Sequence, residues 1–377
     1  PQFEAATLTA VARASLGSAT ATVSRWDLTP IEYPAVSALT AGLYRVGGMA
    51  IERGAELPWS AVLKAIRCPR ESARDPRNLS YWKREALVYR SELFGDLTAG
   101  LRLPRCYGVQ ELENETALLW LEDAADEHDG RWSLALYVDV ARQLGEWQGS
   151  YSAGRGLPSE PWLTRGLIAA ICEERAAAYV RTVSERRPWA EPRWQRAFPR
   201  TVAGRLQRLL AARKSLLAGL ERAEQSLCHF DLSRHNLMRR AAAGGREETV
   251  VIDWAYAGIG ALGVDLSLLV PSPFFRMEAD VAGLPDHAKA VFSAYIDGLR
   301  NAGFRGDERT VRFAYAASTA LRTVFFAPTV TAVDPAARAA EEQRWGLPTE
   351  EILDRRAALT VFLLDLADEA LELLEAV

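Results

Sequence analysis

Three side chains in the second half of the chain have the types and the spacing that phosphoryl transfer requires. Asp231 is followed five residues later by Asn236, and Asp253 comes after two apolar runs joined by a Gly-Gly turn. Phosphoryl transfer to a hydroxyl needs one carboxylate that deprotonates the hydroxyl, and amide and carboxylate oxygens that hold magnesium ions on the phosphates. His229, two residues before Asp231, makes the pattern more specific. The alternative is a structural loop that caps a helix, with Asp253 closing a strand.

A lysine in the first half of the chain has the position expected of a phosphate-binding cation. Lys64 interrupts the apolar run 62–66, where an unpaired ammonium group would be costly. Glu85 follows 21 residues later on a segment with a helical pattern, and it would be a suitable partner. The alternative is a strand lysine whose ammonium group reaches solvent at a sheet edge.

A glycine-containing turn is expected to cover the phosphates. Gly42 lies between the first two predicted strands and is the candidate, whereas Gly47 and Gly48 are expected to start the next turn. No G-x-x-x-x-G-K-[ST] sequence occurs, and this disfavours an NTPase of the Walker type.

The composition is that of an ordinary folded protein and limits the kinds of partner. Apolar residues make up 49% of the 377 residues and charged residues 25%, which argues against disorder and suits two domains. The net charge of −4 gives no basic footprint for nucleic acid. The four scattered cysteines predict neither a zinc site nor a disulfide framework. Without a signal segment or a run of 18 apolar residues, we expect a cytoplasmic protein that does not bind membranes. The oligomeric state stays open.

Short apolar runs separated by glycine and proline predict an antiparallel sheet in the first third of the chain. The predicted strands are 36–39, 43–46, 61–66, 107–109 and 116–121. Helical patterns cover residues 5–20 and 80–93, the second with Ser80 as its N-cap. Most of the remaining chain is predicted to be helical.

These patterns predict an α+β fold with two lobes. The N-terminal lobe would span residues 1–121, with a helical extension over 1–30, a small antiparallel sheet and one helix. The larger, mostly helical lobe would span residues 122–377.

Five segments of the chain together resemble the aminoglycoside phosphotransferase family, part of a superfamily that includes choline kinase and protein kinases. The segments are WSAVLKAIR, YWKREALVYRSELF, LLWLEDAAD, CHFDLSRHN and VVIDWAYAGIGALGVDL. The resemblance implies a two-lobed, protein-kinase-like fold. It also implies an enzyme that moves the γ-phosphate of ATP or GTP to a hydroxyl of a small molecule with Mg²⁺, in an antibiotic-resistance role.

The resemblance assigns a role to each residue of the motif. Asp231 would be the catalytic base, and Asn236 and Asp253 would be the magnesium ligands. Lys64 would hold the nucleotide phosphates and be oriented by Glu85, and Gly42 would lie over them.

Further residues would support the catalytic loop or contact the two substrates. His229 and Asp265 would brace the loop, although Asp265 is equally suited to be a helix N-cap. The backbone of three consecutive residues would meet the adenine edge, namely Trp120, Leu121 and Glu122. Five residues are candidates for acceptor contacts, namely Ser233, Arg234, His235, Arg322 and Phe325.

The chain departs from the family pattern at two positions of the site. Phe230 stands where family members often have glycine, and Ala255 stands where they often have glutamate. The chain also lacks an arginine before Asp231 and an A-P-E sequence after Asp253, and this disfavours a protein kinase.

Two alternatives to an antibiotic-modifying enzyme remain. One keeps the fold and changes the acceptor to a sugar, an amino alcohol or a nucleoside-like natural product. The other is a nucleotide-binding pseudokinase without catalysis, which is disfavoured because the catalytic, metal and phosphate-binding residues are all present. The acid-rich residues 334–377 would suit a polycationic acceptor, but a solvated helix face is the more usual explanation.

Overall fold

The computed structural model describes residues 3–32, 38–95, 97, 100–128, 132–186, 192–241, 247–325 and 335–376. The chain packs into two compact units. The first consists of Pro1–Asp129, Ser159–Thr164 and Asn236–Ala257, and the second of Gly130–Pro158, Arg165–His235 and Gly258–Val377. The expected boundary between residues 121 and 122 is therefore displaced to Asp129, and two later segments join the first unit.

The described residues form strands and helices that are numbered here along the chain. The strands are β1 (Thr22–Pro30), β2 (Thr40–Glu52), β3 (Ala55–Arg67), β4 (Leu101–Arg102), β5 (Cys106–Leu112), β6 (Thr116–Glu122), β7 (Gln225–Cys228), β8 (Leu237–Ala241), β9 (Glu247–Val251) and β10 (Gly258–Ala261). The helices are α1 (Ala5–Leu16), α2 (Arg84–Arg90), α3 (Leu134–Ser152), α4 (Leu167–Arg186), α5 (Pro192–Ala197), α6 (Arg200–Arg222), α7 (Leu266–Leu269), α8 (Ser272–Phe275), α9 (Leu284–Asn301), α10 (Glu308–Thr323), α11 (Pro335–Trp345) and α12 (Thr349–Leu373).

The first unit is built on a five-stranded antiparallel sheet in the order β1-β2-β3-β6-β5. Successive side chains of β3 point to opposite faces of the sheet. Leu63 packs in an apolar cluster with Leu8 of α1 and Trp120. Ile66 packs in a second cluster with Trp82, next to α2. The alternation therefore places the even-numbered residues of this part of β3, including position 64, on the α2 side.

Two sequence predictions for this unit need correction. The helical extension predicted over residues 1–30 is a helix only in α1, since Thr22–Pro30 forms β1. Most side chains of β1 are exposed, so the strand shows no apolar alternation and depends on its ladder with β2. Residues 36 and 37 of the strand predicted at 36–39 lie outside the described residues, and Ala38 and Leu39 lie in a turn.

The helix predicted over residues 80–93 is shorter, since α2 spans Arg84–Arg90. The Asn78 side chain accepts a hydrogen bond from the Ser80 amide at 2.8 Å. This local turn competes with helix formation at the position where Ser80 was predicted to be the N-cap. The helix therefore begins after Lys83.

A small sheet of order β4-β9-β8 explains why residues 236–257 belong to the first unit. β8 and β9 form an antiparallel hairpin. β4 pairs with β9 in parallel, with Leu101 opposite Thr249. This pairing joins parts of the chain that are far apart in sequence, so no local pattern could predict it.

The second unit is mostly helical, as the sequence predicted. Helices α3 and α9 approach closely at small residues, because a Cβ atom at Gly298 would lie only 2.0 Å from the Arg142 carbonyl oxygen. The two-stranded pairing of β7 with β10 sets Leu227 opposite Ile259. Within the described ranges, none of the helices has the length and apolar character needed to cross a membrane.

His287 lies in the core of the second unit between two aromatic rings. Its ring centroid is 4.7 Å from that of Tyr137 and 5.2 Å from that of Phe274, both in edge-on geometry. Only 8% of the residue is exposed. Burial lowers the pKa of His287 to about 4, because the protonated ring would lose its hydration.

We expect His287 to make the protein acid-sensitive. The unfolded chain takes up a proton near pH 6.5, whereas the folded chain does not until about pH 4, so the folded state loses stability as the pH falls between these values. Between pH 7 and pH 5 the free energy of unfolding should fall by about 2 kcal/mol on this account. Urea unfolding of wild type and His287→Gln at both pH values measures the effect. An equal fall in both proteins would contradict the prediction.

Candidate active site

The first unit holds a buried cluster of one lysine and two carboxylates. Lys64 of β3 is 9% exposed, and its Nζ lies 2.6 Å from Glu85 Oε2 and 2.9 Å from Asp253 Oδ1. Glu85 is 3% exposed and lies in the first turn of α2. The alternation of β3 directs Lys64 toward α2, so the predicted partner is in reach. The alternative of a lysine reaching solvent at a sheet edge is ruled out.

The charges of the cluster control its protonation. Burial by itself lowers the pKa of Lys64, but the charges of Asp253 and Glu85 outweigh it and raise this pKa above its ordinary value. The ammonium group is therefore charged at neutral pH. Burial raises the pKa of Glu85, and Lys64 opposes this effect. The ammonium group of Lys64 is thus charged and is held in place by the carboxylates of Glu85 and Asp253.

Asp253 follows the β8–β9 hairpin in a strained backbone conformation. Its φ angle is +62°, a region that residues with a Cβ atom seldom adopt, at a cost of about 1–3 kcal/mol. The next residue, Trp254, anchors the turn: its indole nitrogen donates to the Val251 carbonyl at 2.7 Å, and its ring packs edge-on against Phe94 at 4.8 Å. Such strain is typical of functional positions.

Asn236 stands beside this turn because it begins the hairpin. Its carbonyl oxygen accepts a hydrogen bond from the Ile252 amide at 2.9 Å, and Ile252 immediately precedes Asp253. The hairpin thus brings the amide side chain of Asn236 and the carboxylate of Asp253 to the same end of the small sheet.

The donor set fits a hard cation such as Mg²⁺. Carboxylate and amide oxygens are its preferred protein ligands, and it usually takes only one or two carboxylates and completes its shell with phosphate oxygens and water. The described residues include no group of three or more His, Cys, Asp or Glu side chains that would hold a metal ion alone. Asp253 and Asn236 would offer such a cation one carboxylate and one amide oxygen.

Arg84, which the sequence analysis did not single out, ties α2 to the rest of the first unit. It is fully buried and donates to four backbone carbonyls: Trp162 at 2.7 Å, Leu79 at 2.8 Å, Ala255 at 3.0 Å and Asn78 at 2.7 Å. Burial lowers its pKa to about 10, so the side chain stays charged at neutral pH. Because arginines of short helices are usually solvated, no sequence signal pointed to it.

The second unit carries the loop that contains Asp231, and Asp265 braces it. Asp265 is 2% exposed and accepts hydrogen bonds from the amides of His229 at 3.0 Å and Phe230 at 2.6 Å. Gln148 donates to the same carboxylate at 2.8 Å. Asp265 occupies the N-cap position of α7, but its side chain makes no capping bond there. The Nδ1 atom of His229 accepts a hydrogen bond from the Asp231 amide at 3.1 Å.

Phe230 adopts the left-handed conformation that glycine favours, with a φ angle of +64°. The departure from the family pattern therefore leaves the loop in a conformation that a glycine would also allow. The ring of Phe230 packs on Gly260 of β10, where an added Cβ atom would lie 2.6 Å from the ring. The loop can therefore have phenylalanine at position 230, because Gly260 leaves room for the ring.

Asp231 is half-buried, and the guanidinium group of Arg322 lies beside its carboxylate. The distance from Arg322 Nη2 to Asp231 Oδ1 is 3.6 Å. Arg322 also donates to the Phe230 carbonyl oxygen at 2.5 Å, and it is only 5% exposed. The Ser233 amide donates to the Asp231 carbonyl at 2.8 Å. Arg322 therefore lies at the predicted base, although the sequence suggested an acceptor contact.

Two of the other acceptor candidates are buried by core packing, whereas a third is partly open. Phe325 is fully buried, and its ring centroid lies 5.5 Å from that of Tyr179. It therefore lines no open surface. Arg234 is 6% exposed, with its guanidinium 5.5 Å from the Trp132 ring centroid. His235 instead keeps a partly open position and pairs with Glu278 at 2.8 Å. Aromatic and cationic residues near the motif suggested contacts with an acceptor in the sequence, but core packing accounts for Phe325 and Arg234.

The predicted nucleotide contacts in β2 and β6 are also revised. Gly42 lies within β2 at a bulge against β3, not in a turn, and the turn between these strands lies at Arg53 and Gly54, which have positive φ angles. A β-bulge lets a strand continue through a glycine. Gly47 and Gly48 likewise lie inside β2.

β6 is an inner strand, so the backbones of Trp120 and Leu121 lie in its ladders with β3 and β5. The Glu122 amide donates to the Arg105 carbonyl at 2.8 Å, and its carbonyl accepts from Ala124 at 3.0 Å. These bonds use the backbone groups expected to meet adenine. The Glu122 side chain instead bonds to Arg102 at 2.6 Å and Arg240 at 2.9 Å, which ties β6 to the small sheet.

Comparison with known proteins agrees with this geometry. A model of the phosphotransferase enzyme family, APH, matches residues 96–302. An aminoglycoside phosphotransferase from Alicyclobacillus acidocaldarius subsp. acidocaldarius is similar in structure, with a TM-score of 0.50 and 15% identity over 92% of this chain and 95% of that chain. This similarity supports the two-lobed, kinase-like α+β fold.

Two further structures are more distant. The amicoumacin kinase hAmiN, solved with AMP-PNP, Ca²⁺ and Ami, has a TM-score of 0.47 and 14% identity over 87% of this chain and 88% of that chain. The choline kinase from Cryptosporidium parvum Iowa II has a TM-score of 0.48 and 13% identity over 92% of this chain and 90% of that chain. No curated protein sequence matches significantly. Because the family model covers more than half of its residues, the chain belongs to the phosphotransferase enzyme family.

Proposed function

We propose that this phosphotransferase, which acts on an alcohol group, moves the γ-phosphoryl group of ATP or GTP to a hydroxyl of a small molecule with Mg²⁺. The observation that carries the proposal is the buried cluster in which Lys64 contacts both Glu85 and Asp253. A structural ion pair needs one carboxylate, whereas a phosphate site needs a cation beside a metal-binding carboxylate.

Lys64, Glu85, Asn236 and Asp253, all in the first unit, would be the residues that bind the nucleotide and its metal. Lys64 would bind the α- and β-phosphates, and Glu85 would keep its side chain extended. Asp253 and Asn236 would hold magnesium, which, when bound, would neutralise charge on the phosphate oxygens. The buried position of Lys64 strengthens its attraction for phosphate because little water screens it.

Asp231, in the second unit, would be the residue that acts on the acceptor. The acceptor oxygen would form its new bond to the γ-phosphorus as the bond from that phosphorus to the β–γ bridging oxygen breaks. The hydroxyl proton would go to the Asp231 carboxylate, and the nucleoside diphosphate would leave with the bridging oxygen. Asp265 and His229 would act only through the loop, by fixing its backbone.

For the acceptor, we propose an aminoglycoside or another hydroxylated antibiotic, which would give the enzyme a role in resistance. The support is the resemblance of the motif segments to the aminoglycoside phosphotransferase family and the fold shared with one such enzyme. A metabolic acceptor, such as a sugar or an amino alcohol, is the competing assignment.

A nucleotide-consumption screen with Mg²⁺ tests the proposal. The purified protein is offered ATP or GTP with aminoglycosides, other hydroxylated antibiotics, sugars, amino alcohols and nucleosides, and phosphorylated product is identified by mass spectrometry. We expect acceptor-dependent consumption with an antibiotic, and a rate lower by about 10²–10⁴-fold in Asp231→Asn. Turnover only with a metabolic acceptor would overturn the resistance role, and nucleotide binding without turnover of any acceptor would contradict the kinase chemistry.

A further inference from the structure

The peptide groups on both sides of Phe230 are held by charged side chains. On the amino side, the Phe230 amide donates to Asp265 at 2.6 Å. On the carboxyl side, the Phe230 carbonyl accepts from Arg322 Nη1 at 2.5 Å. Because Phe230 has a positive φ angle, its backbone would relax to a commoner conformation unless its surroundings fixed it. The direction of the chain entering Asp231 therefore depends on these two contacts.

One guanidinium group reaches both the peptide before Asp231 and the carboxylate of Asp231. While Nη1 of Arg322 bonds to the Phe230 carbonyl, Nη2 lies 3.6 Å from Asp231 Oδ1. The guanidinium is planar and rigid, so fixing one nitrogen also fixes the other. A lysine has a single charged nitrogen on a flexible chain and could not impose this two-point geometry.

Arg322 itself is firmly placed. It lies in the last turn of α10 and is 5% exposed. Backbone carbonyls in the last turn of a helix lack partners within the helix, and that of Arg322 accepts a hydrogen bond from the side chain of Arg175 on α4. The arginine thus projects from a helix end that a neighbouring helix holds in place.

We propose that Arg322 is a positioning residue that sets the orientation of the Asp231 carboxylate toward the acceptor hydroxyl. The proposal rests on the proposed function of Asp231 as the base. Arg322 takes no proton and forms no bond in the reaction. It replaces the conformational freedom of a glycine at position 230 by holding the strained peptide from outside, and it uses the same group to hold the carboxylate.

The experiment compares Arg322→Ala, Arg322→Lys and a control on the same helix, Arg312→Ala. Arg312 pairs with Glu369 at 2.7 Å, so its replacement by alanine makes the same change of size and charge at a different ion pair. We expect Arg322→Ala to lower kcat by about 10²-fold, as misplacement of a reacting group does, with nucleotide KM nearly unchanged. Guanidinium chloride at millimolar concentration should restore part of this kcat, but not that of Asp231→Asn. Arg312→Ala should keep wild-type kcat.

Each outcome decides the matter. If Arg322→Ala keeps wild-type kcat, or loses it without any guanidinium rescue while Tm falls in parallel, the positioning role is wrong. If Arg322→Ala does not fold, Arg322→Lys provides the test: it retains the charge but should lose kcat, and wild-type kcat there would overturn the proposal. An active Asp231→Asn would refute the function of Asp231 itself, whereas an inactive Asp231→Asn with a fully active Arg322→Ala would refute only the role of Arg322.

Discussion

Replacement of Asp231 by asparagine should lower turnover by about 10²–10⁴-fold, the usual worth of general-base catalysis, or roughly 3–5 kcal/mol in the activation free energy. Nucleotide affinity should change little, because Asp231 is expected at the acceptor and not on the phosphates. The Asp231 amide should keep its hydrogen bond to the His229 ring, and Asp265 should keep holding the His229 amide, because neither bond uses the Asp231 side chain. Steady-state kinetics together with nucleotide titration measures the two effects separately.

A matched control for this variant is Asp297→Asn on α9, whose side chain is 55% exposed. It makes the same chemical change far from the loop in sequence and should keep wild-type turnover. If Asp231→Asn retained more than about a tenth of the wild-type rate, the assignment of the base would be wrong, because the residual activity would lie outside the range of a lost general base.

Replacement of Lys64 by methionine should abolish phosphoryl transfer and destabilise the first unit. Removing one partner of a buried ion pair leaves an uncompensated charge and typically costs about 3–5 kcal/mol. Here Glu85 would stay buried without its lysine. Thermal and urea unfolding report the loss of stability, and a nucleotide titration with Mg²⁺ reports the loss of phosphate binding.

The pH dependence of this variant gives an independent check. Burial already raises the pKa of Glu85 in the wild type, and loss of Lys64 would raise it further. A carboxyl group with a raised folded pKa destabilises the protein as the pH rises above its unfolded pKa, so Lys64→Met should be less destabilised at pH 5 than at pH 8. The double variant Lys64→Met/Glu85→Leu should recover stability without recovering activity. A double variant as unstable as the single one would show that the ion pair is not the source of the loss.

Much of the site could be predicted from sequence because its chemistry fixes residue types at short spacings. Asp231 and Asn236 share one loop, and the cost of an unpaired lysine in an apolar strand pointed to a partner such as Glu85 for Lys64. The positions of Arg322 and Arg84 could not be predicted. Each acts on residues distant in the chain: Phe230 lies 92 positions from Arg322, and Ala255 lies 171 positions from Arg84.

The fold shows the same division between local and distant determinants. The strands around Lys64 and the helical second unit have apolar patterns that a sequence displays. β1 has mostly exposed side chains, so its sequence lacks the apolar alternation that would predict a strand paired with β2. Gly42 was misplaced because a bulge and a turn both accept glycine, and only the pairing of β2 with β3 distinguishes them.

The four carbonyl contacts of Arg84 have a consequence for regulation. In protein kinases, activity is controlled by moving the helix that carries the lysine's glutamate partner. Swinging α2 outward here would withdraw Arg84 from the carbonyls of Trp162 and Ala255, which lie far from α2 in sequence, each hydrogen bond to a charged group being worth about 1.5–3 kcal/mol. We therefore expect no resting state in which α2 is displaced. The pair of Lys64 and Glu85 would then be permanently formed, and the output of the enzyme would follow its abundance and the supply of acceptor, with no activation step at this helix.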